Sequence, residues 1–458
     1  MNMKQNEQNH RTRQRYRGFV LFLLLGTMIM LAACGQSGQP NPSASPDAGT
    51  GQEGTGNSSG QAGSAGSGSQ PEAGNSPGNE SEEGTTPSQE NHDPVQEQLD
   101  QMTLEEKVGQ MILAGVQGTV LDDQARRMIA DQKVGGIILY ANNVTTLDGT
   151  AKFVQSIKEA NRSNPVPILM GVDQEGGKVS RMPDEVKSIP SNGKVGKTKD
   201  AGLAEEMGTL LARQVKLAGF NLDFAPVLDV NSNPNNPVIG DRSFGSTAEL
   251  VSRLGVAEMK GLRSEGIIPV VKHFPGHGDT SVDSHLELPV VNKTEQQLAK
   301  LEWIPFEAAI KENAEAVMVA HILFPKLDSK YPASLSNVII GEHLRGKFNY
   351  QGVVITDDLS MGAIAKNFKL DEAALATVRA GSDILLVAHS YESAKTIFDT
   401  LIDAVKKGKL DESRIDESVY RILALKRKAG LSDERQASGD LTQLNKDITN
   451  WRKQVEAR

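Results

Sequence analysis

Short runs of apolar residues recur along the chain beyond about residue 110, and a polar or glycine-rich loop follows each of them. Between the runs lie longer stretches in which apolar residues recur at helical spacing. This alternation of strand-like and helix-like patterns is typical of parallel sheets built from βα units. The predicted strands are Met111–Ala114, Gly136–Tyr140, Ile168–Val172, Leu222–Pro226, Ile268–Val271, Ala316–Ala320, Val353–Thr356 and Ile384–Val387.

Amphipathic stretches separate these strands. The clearest of them are Ala204–Leu217, Leu250–Arg263, Glu295–Lys311 and Ala394–Lys407. Eight strand–helix units in one domain predict a (β/α)8 TIM barrel. A doubly wound open sheet is the alternative, but it usually has fewer strands and a nucleotide-binding glycine loop after the first one. Gly115-Val116-Gln117-Gly118 does not match such a loop, so the barrel is favoured.

The N-terminus has the pattern of an export signal. Basic residues precede an apolar run from Phe19 to Met30, and Leu31-Ala32-Ala33-Cys34-Gly35 follows. The apolar run is shorter than the ~20 residues that span a bilayer. Residues 1–33 resemble a bacterial lipoprotein signal, in which Cys34 becomes the lipidated N-terminus; an uncleaved anchor helix is the alternative. Cys34 is the only cysteine, which excludes an internal disulfide.

Composition divides the rest of the chain. Residues 34–94 are rich in Gly, Ser, Pro and Gln, too poor in apolar groups to fold, and are predicted to form a disordered tether. Residues 95–430 are predicted to form one catalytic domain, which we expect to act as a monomer without a cofactor or a metal. Residues 431–458 are predicted to be a polar tail with a loosely attached helix. The net charge of −9 argues against nucleic acid as a partner.

A polar motif lies directly after the fifth predicted strand. Lys-His-Phe-Pro-Gly-His-Gly-Asp-Thr spans residues 272–280, and Asp283-Ser284-His285 follows. Its proline and glycines exclude a stable helix. In an extended loop, side chains two residues apart point the same way, so the Asp283 carboxylate can reach the His285 imidazole. Such a pair is suited to general acid/base chemistry.

Other polar residues follow further predicted strands, at the end of a barrel where active sites are built. They are Asp173, Gln174, Glu175 and Arg181 after strand three, Asp241 and Arg242 after strand four, His321 after strand six, Asp357 and Asp358 after strand seven, and His389 after strand eight. Scattered charges would not follow strand ends so consistently. The sequence therefore predicts one polar site at this end of the barrel.

These residues carry a family resemblance. The motif at 272–285, Val-Asp-Gln-Glu-Gly-Gly upstream and Ile-Thr-Asp-Asp-Leu-Ser-Met downstream resemble those of the β-N-acetylhexosaminidases of glycoside hydrolase family 3. The resemblance spans about residues 97–430. It implies a retaining exo-enzyme that removes β-linked N-acetylglucosamine, commonly from peptidoglycan fragments, through a covalent glycosyl-enzyme.

The resemblance also implies roles for single residues. Asp357 would be the nucleophile and His285 the acid/base, with Asp283 as its partner. The sugar hydroxyls would be held by Asp173, Arg181, Arg242, Lys272 and His273. A retaining glycosidase needs a carboxylate about 5 Å from its acid, and an imidazole, with an ordinary pKa of about 6.5, can donate a proton near neutral pH.

Several residues have a structural interpretation beside the functional one. Asp357 and Asp358 should point to opposite faces of their strand, and the motif favours Asp357 as the catalytic one. His277 and Asp279 are expected to bond the loop backbone, and Glu175 to brace its glycine-rich turn. Lys272 and Arg242 could instead form structural ion pairs. His321 and His389 stay open between pocket lining and satisfied core histidines.

Competing functions are also open. A metal-dependent barrel hydrolase could use His273, His277 and His285 as ligands, although the chain has no His-x-His pair on an early strand. A lipid-tethered sugar-binding protein would share the signal and the tether, but such proteins usually have two lobes. Within the resembled family, a β-glucosidase or a phosphorylase of β-N-acetylglucosaminides is compatible with the motifs.

Overall fold

The computed structural model describes residues 92–434 and 439–458. The predicted signal at 1–33, Cys34 and nearly all of the predicted tether at 34–94 lie outside the described residues, so these remain predictions. Within the described ranges, no helix is both long enough and apolar enough to cross a membrane.

Eight parallel strands form one sheet that curves into a barrel, which confirms the predicted fold. The strands lie in the order β7-β6-β5-β4-β3-β2-β1-β8, and a bridge between Ile355 and Ile384 joins its two edges. Each strand matches one of the eight predicted apolar runs. The strands are β1 Ile112–Gly115, β2 Gly136–Leu139, β3 Leu169–Val172, β4 Leu222–Asp223, β5 Ile268–Phe274, β6 Ala316–Val319, β7 Val353–Thr356 and β8 Leu385–Val387.

Every strand residue is buried, because helices cover the outer face of the sheet and side chains fill the barrel. This explains why the strands are continuous apolar runs and do not alternate with polar residues. The α-helices are α1 Pro94–Asp100, α2 Leu104–Gln110, α3 Asp123–Ala130, α4 Leu147–Asn161, α5 Asn192–Thr198, α6 Ala201–Leu217, α7 Ala248–Ser264, α8 Glu295–Ala299, α9 Ile304–Lys311, α10 Gly362–Ala365, α11 Leu370–Ala380, α12 Tyr391–Lys406, α13 Glu412–Lys428 and α14 Leu441–Glu456. A π-helix spans Val338–Lys347.

Helices α6 and α7 approach each other closely. A Cβ atom on Gly208 would lie 2.1 Å from the main-chain oxygen of Glu258, and one on Gly261 would lie 2.0 Å from that of Glu205. Glycine at these two positions allows the backbones to touch, since any side chain would force the helices apart.

The predicted helix Glu295–Lys311 is two helices, α8 and α9. The chain turns between Lys300 and Trp303, and Pro305 lies in the first turn of α9. Proline in a helix interior removes a hydrogen bond and clashes with the preceding turn, whereas the first turn tolerates it. A single helix through Pro305 was therefore wrong.

The expectation of a loosely attached tail at 431–458 was also wrong. Trp451 of α14 is fully buried, and its Nε1 donates to the main-chain oxygen of Leu203 on α6 at 3.0 Å. Arg213 of α6 and Asp447 of α14 form an ion pair of 2.8 Å. Since a buried indole contributes a large apolar area, α14 is part of the folded domain.

Candidate functional site

A pocket opens at the C-terminal ends of the strands, where a barrel of this kind places its active site. Seven of the eight site residues predicted within the described chain line it, and the eighth, Asp283, contacts one of them. The lining residues are Ile138, Tyr140, Asp173, Glu175, Val179, Arg181, Val238, Arg242, Lys272, His273, His277, Ser284, His285, Met318, Asp357, Asp358, Met361, Leu386 and His389.

The Asp283–His285 pair has the contact that the spacing predicted. Asp283 Oδ1 lies 2.8 Å from His285 Nδ1 and accepts a hydrogen bond from the His285 main-chain N–H at 2.9 Å. Burial raises the pKa of Asp283, but these bonds to His285 outweigh it and hold the pKa below its ordinary value. Because a carboxylate only accepts, Nδ1 carries a proton, and Nε2 is the atom available to a substrate.

The loop that carries this pair is fastened beside the end of β7. The main-chain N–H of Gly362 donates to His285 O at 3.2 Å, and that of Ala363 donates to Ser284 O at 3.1 Å. A Cβ atom on Gly362 would lie 2.7 Å from His285 O, so only glycine allows this approach. These hydrogen bonds thus hold the loop after β5 against the segment that follows Asp357, although the two segments are far apart in sequence.

The side chain of Asp357 accepts one hydrogen bond from the main chain. Its Oδ1 accepts from the N–H of Asp358 at 2.9 Å. Burial raises the pKa of Asp357, but the nearby His321 and His273 imidazoles and this hydrogen bond outweigh it, so the pKa lies below its ordinary value. A carboxylate that stays ionised in a partly enclosed pocket is suited to nucleophilic attack.

The carboxylate of Asp358 has a structural role. Its Oδ1 accepts from the main-chain N–H of Ser360 at 2.9 Å, from the Ser360 hydroxyl at 2.7 Å and from the N–H of Ala388 at 3.2 Å. Asp358 thereby joins the loops that follow β7 and β8. These contacts leave Asp357 as the freer of the two carboxylates, in line with the motif.

Glu175 is the centre of a buried ion cluster. Its carboxylate accepts from Arg242 Nε and an Arg242 terminal nitrogen at 2.8 and 2.7 Å, and it lies 2.7 Å from Lys272 Nζ. Burial would raise the pKa of Glu175, but the two cations hold it far below its ordinary value. The expectation that Glu175 braces its own turn was wrong, because its partners come from the loop after β4 and from β5.

Lys272 joins this cluster to Asp173. Its Nζ lies 2.6 Å from Asp173 Oδ1, and its side chain is almost fully buried. Burial alone would lower the pKa of Lys272, but Asp173 and Glu175 raise it above its ordinary value. Lys272 and Arg242 therefore form the ion pairs of the structural interpretation and also line the pocket. Their binding of sugar hydroxyls stays a prediction.

Asp229 is a site residue that sequence reasoning missed. It follows β4 and is fully buried; its Oδ2 lies 2.7 Å from His273 Nδ1, and its Oδ1 accepts from the His277 main-chain N–H at 2.6 Å. Burial raises the pKa of Asp229, but His273 and the bonds to it and to His277 hold it below its ordinary value. Asp229 fixes the His273 ring with Nε2 toward the pocket.

His277 and Asp279 do not bond the loop backbone as expected. The His277 ring nitrogens lie 2.8 Å from Thr280 Oγ1 and 3.2 Å from Ser284 Oγ. Burial, together with the neighbouring His273, lowers the pKa of His277 to about 4, so this imidazole is neutral at neutral pH. Asp279 pairs with Lys293 at 3.0 Å. Both residues stabilise the shape of the loop through side-chain contacts.

His321 and His389, whose roles the sequence left open, differ in burial. His321 is fully buried, with Nδ1 2.6 Å from Ser334 Oγ and Nε2 2.9 Å from the main-chain oxygen of Asp358, so it is a satisfied core histidine. His389 is exposed and lines the pocket.

The three histidines of the metal alternative have separate partners. His273 faces Asp229, His277 faces two hydroxyls, and His285 faces Asp283. In the ranges 92–434 and 439–458, no group of three or more His, Cys, Asp or Glu residues is arranged to hold a metal ion.

Comparisons with known proteins identify the family of the chain. The model of the "Glycosyl hydrolase family 3 N terminal domain" matches residues 103–425. Beta-hexosaminidase A of Pseudoalteromonas piscicida is 34% identical over 319 residues, which are 65% of this chain and 52% of that protein. Beta-hexosaminidase LpqI of Mycobacterium tuberculosis is 37% identical over 269 residues, or 57% of this chain and 69% of that protein.

A solved structure of a family 3 β-N-acetylglucosaminidase from a Paenibacillus species superimposes with a TM-score of 0.72 at 43% identity, covering 76% of this chain and 69% of that one. The chain thus spans about half the length of the Pseudoalteromonas relative and about two thirds of the other two. The family predicted from the motifs is confirmed, and the chain belongs to glycosyl hydrolase family 3.

Proposed function

We propose that the protein is a retaining, exo-acting β-N-acetylhexosaminidase. The observation that carries the proposal is one pocket whose lining combines Asp357 and the Asp283-oriented His285 with a cluster of charged residues. The names of the relatives support the substrate class, since they are β-hexosaminidases and a β-N-acetylglucosaminidase.

In the first step, an ionised Asp357 oxygen attacks the anomeric carbon of the bound sugar. The bond from that carbon to the leaving oxygen breaks, and the leaving oxygen takes the proton of His285 Nε2. Asp283 stabilises the protonated ring and keeps its orientation. The products are a glycosyl ester on Asp357, a neutral His285 and a free aglycone.

In the second step, water enters on the side that the aglycone has left. His285 Nε2 takes one proton from the water while the water oxygen bonds to the anomeric carbon and the ester bond to Asp357 breaks. Two inversions restore the β-configuration, and His285 ends protonated, ready for the next cycle.

The ion cluster supports recognition of a terminal sugar. Asp173, Arg181, Arg242 and His273 present charged or polar atoms to the pocket. Contacts with Lys272, Glu175 and Asp229 hold Asp173, Arg242 and His273, respectively, in place before the sugar arrives. Preorganised polar groups of this kind bind hydroxyls without a further ordering cost.

We extend the proposal to the location of the enzyme. Residues 1–33 and Cys34 support export and lipid attachment, with the domain held outside the cytoplasm near substrates such as peptidoglycan fragments and acting as a monomer. Labelling of the protein with a lipid precursor tests this: the label should enter the wild-type chain and be absent from Cys34→Ser. Equal labelling of both would contradict lipidation at Cys34.

A panel of 4-nitrophenyl β-glycosides tests the activity. We expect turnover of the N-acetylglucosaminide to exceed that of the glucoside clearly, and the first sugar product, followed by NMR, to be the β-anomer. Equal turnover of the two substrates would favour a β-glucosidase, and an α-product would exclude a retaining mechanism. A rate that depends on added phosphate, with a sugar phosphate as product, would instead identify a phosphorylase.

A further inference from the structure

Helix α14 contacts the loop after β3, which carries Arg181 to the pocket. The side-chain amide of Asn445 on α14 binds this loop twice. Its Oδ1 accepts from the Lys187 main-chain N–H at 2.8 Å, and its Nδ2 donates to the Glu185 main-chain oxygen at 2.9 Å. An amide has both a donor and an acceptor, so one side chain satisfies two backbone groups of the loop and fixes the loop against the helix.

Helix α14 is itself held in place on the domain. Ile448 and Trp451 of α14 are fully buried, and the ion pair of Asp447 with Arg213 joins α14 to α6 at 2.8 Å. Burial of one apolar face is what stabilises such a helix on its neighbours. Asn445 therefore extends from a fixed helix, and its two hydrogen bonds restrain the loop.

A second chain of hydrogen bonds joins the same stretch of the loop to Arg181. Gln214 of α6 donates from Nε2 to the Lys187 main-chain oxygen at 2.7 Å, and its Oε1 accepts from Gln174 Nε2 at 2.8 Å. Gln174 Oε1 in turn accepts from the Arg181 main-chain N–H at 2.7 Å. Both glutamines are fully buried, so a broken link would leave a buried polar group without a partner. The position of Lys187 therefore affects that of Arg181.

This stretch of the loop also lies against a glycine turn. The Gly177 main-chain N–H donates to Ile189 O at 2.8 Å, and a Cβ atom on Gly177 would lie 2.7 Å from Ser191 Cβ. Gly177 has a φ of 57°, which glycine adopts without strain. A shift of this stretch would press on the turn that joins Glu175 to Arg181.

We propose that α14 is a brace for the loop after β3 and that Asn445 is a positioning residue, which holds this loop so that Arg181 faces the sugar. The inference rests on the proposed function, in which Arg181 binds sugar hydroxyls. Helix α14 lies beyond residues 103–425, which the family model matches, so the brace comes from a part of the chain outside that model. Asp357 and His285 are carried by other loops, and the brace therefore affects binding more than chemistry.

The test compares the wild-type enzyme with Asn445→Ala on 4-nitrophenyl β-N-acetylglucosaminide. We expect KM to rise by about 3- to 10-fold, the range that the net contribution of a hydrogen bond gives. The kcat should stay within about twofold of wild type, because the lost interaction is one of binding. Asn450→Ala is the matched control, since Asn450 is an exposed asparagine of the same helix, and its KM should equal that of the wild type. An unchanged KM in Asn445→Ala, or a loss confined to kcat, would overturn the inference.

Hydrogen exchange followed by mass spectrometry gives a readout without substrate. Peptides that contain Arg181 and Lys187 should exchange faster in Asn445→Ala than in Asn450→Ala, whereas the peptide that contains Asp357 should exchange equally in both. Equal exchange of the loop peptides in the two variants would overturn the brace.

A double-mutant cycle with Arg181→Ala separates positioning from a merely structural role. Arg181→Ala alone should raise KM, and addition of Asn445→Ala should then raise it by less than about twofold more, because both substitutions affect the same contact. Effects on KM that multiply would overturn the inference. Absence of turnover of this substrate by the wild type would instead contradict the proposed function itself, before any variant is compared.

Discussion

The barrel buries charged groups at both of its ends, and the two ends differ in what those charges face. At the C-terminal end, the catalytic cluster opens onto the pocket; it consists of Asp173, Glu175, Asp229, Arg242, Lys272 and His273. At the N-terminal end, the closure cluster lies between strands and helices; it consists of Arg345, Asp383, Arg414 and Arg421.

The closure cluster lies where the sheet closes. Asp383 directly precedes the β8 region, and its Oδ2 accepts from the main-chain N–H of Val354 on β7 at 2.9 Å. Its Oδ1 accepts from Ser418 at 2.8 Å and from Arg421 at 3.2 Å, both on α13. β7 and β8 share only a bridge between them, so Asp383 adds contacts at the seam. None of this cluster lines the pocket that holds Asp357.

The comparison shows that buried ion pairs are not by themselves a sign of chemistry. Both clusters contain arginine–carboxylate contacts, but only the catalytic cluster presents polar atoms to a cavity beside a free carboxylate and an oriented imidazole. A change at the catalytic end should therefore affect turnover, and a change at the other end should affect stability.

The largest effect is expected for Asp357→Asn. Without the nucleophile, kcat/KM for an aryl β-N-acetylglucosaminide should fall by at least ~10³-fold. The thermal unfolding midpoint should be slightly lower than that of the wild type, because the lowered pKa of Asp357 means that the folded state stabilises the carboxylate that the substitution removes. Steady-state kinetics and calorimetry on the same preparations check both expectations. A variant that keeps most of its activity would place the nucleophile elsewhere.

His285→Ala should follow, with a loss of about 10²- to 10⁴-fold on substrates with a poor leaving group. The loss should be much smaller for formation of the glycosyl-enzyme from a substrate whose leaving group departs without a proton. Asp283→Asn should give a weaker version of the same pattern, because it leaves the imidazole but removes the group that orients it. An equal loss on good and poor leaving groups would contradict the acid role.

Asp383→Asn tests the other end of the barrel. Three guanidinium groups would lose the negative charge of the carboxylate that they share. Removal of one partner of a buried ion pair costs about 3–5 kcal/mol of unfolding free energy. The kcat/KM of the folded fraction should stay within about twofold of wild type. Asp399→Asn, in an exposed i,i+4 pair with Lys395, is the control, and its denaturation midpoint should not move. A large loss of turnover in folded Asp383→Asn would remove the distinction between the two ends.

The last prediction concerns a gradual effect of pH on Lys426, which is also buried near the N-terminal end. Its Nζ donates to Gln110 Oε1 at 2.7 Å and to Gly135 O at 2.8 Å, and burial lowers its pKa to about 7. Between about pH 7 and pH 10.5 the unfolded chain binds more protons at this lysine than the folded chain does. The penalty for burying the charge is thus complete below about pH 7 and is relieved as the pH rises toward 10.5.

Within that window, the unfolding free energy of the wild type should therefore rise relative to that of Lys426→Met by up to about 1.4 kcal/mol per pH unit. Denaturant unfolding of both proteins from pH 6 to pH 10 measures the difference, which also cancels the titration of other groups. Parallel curves would mean that this amine titrates normally. The lysines of the catalytic end differ, since Lys272 has carboxylate partners and a raised pKa.

The sequence predicted the eight strands because each is buried on both faces and is therefore a continuous apolar run. It also predicted which residues lie at the strand ends, because those positions break the apolar runs with charge. It did not predict the partners of Glu175 or the role of Asp229, since these contacts join loops that are distant in sequence. Asp229 also stands within the apolar stretch Val227–Val230, where nothing local distinguishes a site residue from a buried structural one.

The attachment of α14 was missed for a related reason. Its composition is polar, and its docking depends on a few buried side chains, above all Trp451. Local pattern predicts a helix there, but only the shape of the surface beneath it decides whether the helix packs. Likewise, the split at Pro305 follows from a single residue within an otherwise helical pattern.

Trapping of the glycosyl-enzyme tests the central claim most directly. A fluorinated β-N-acetylglucosaminyl fluoride, which forms the ester quickly and releases it slowly, is incubated with the enzyme, and the labelled peptide is identified by mass spectrometry. We expect one sugar per protein, attached to Asp357 and absent from Asp357→Asn. A label on Asp358, on Asp173 or on any residue outside the pocket would contradict the account.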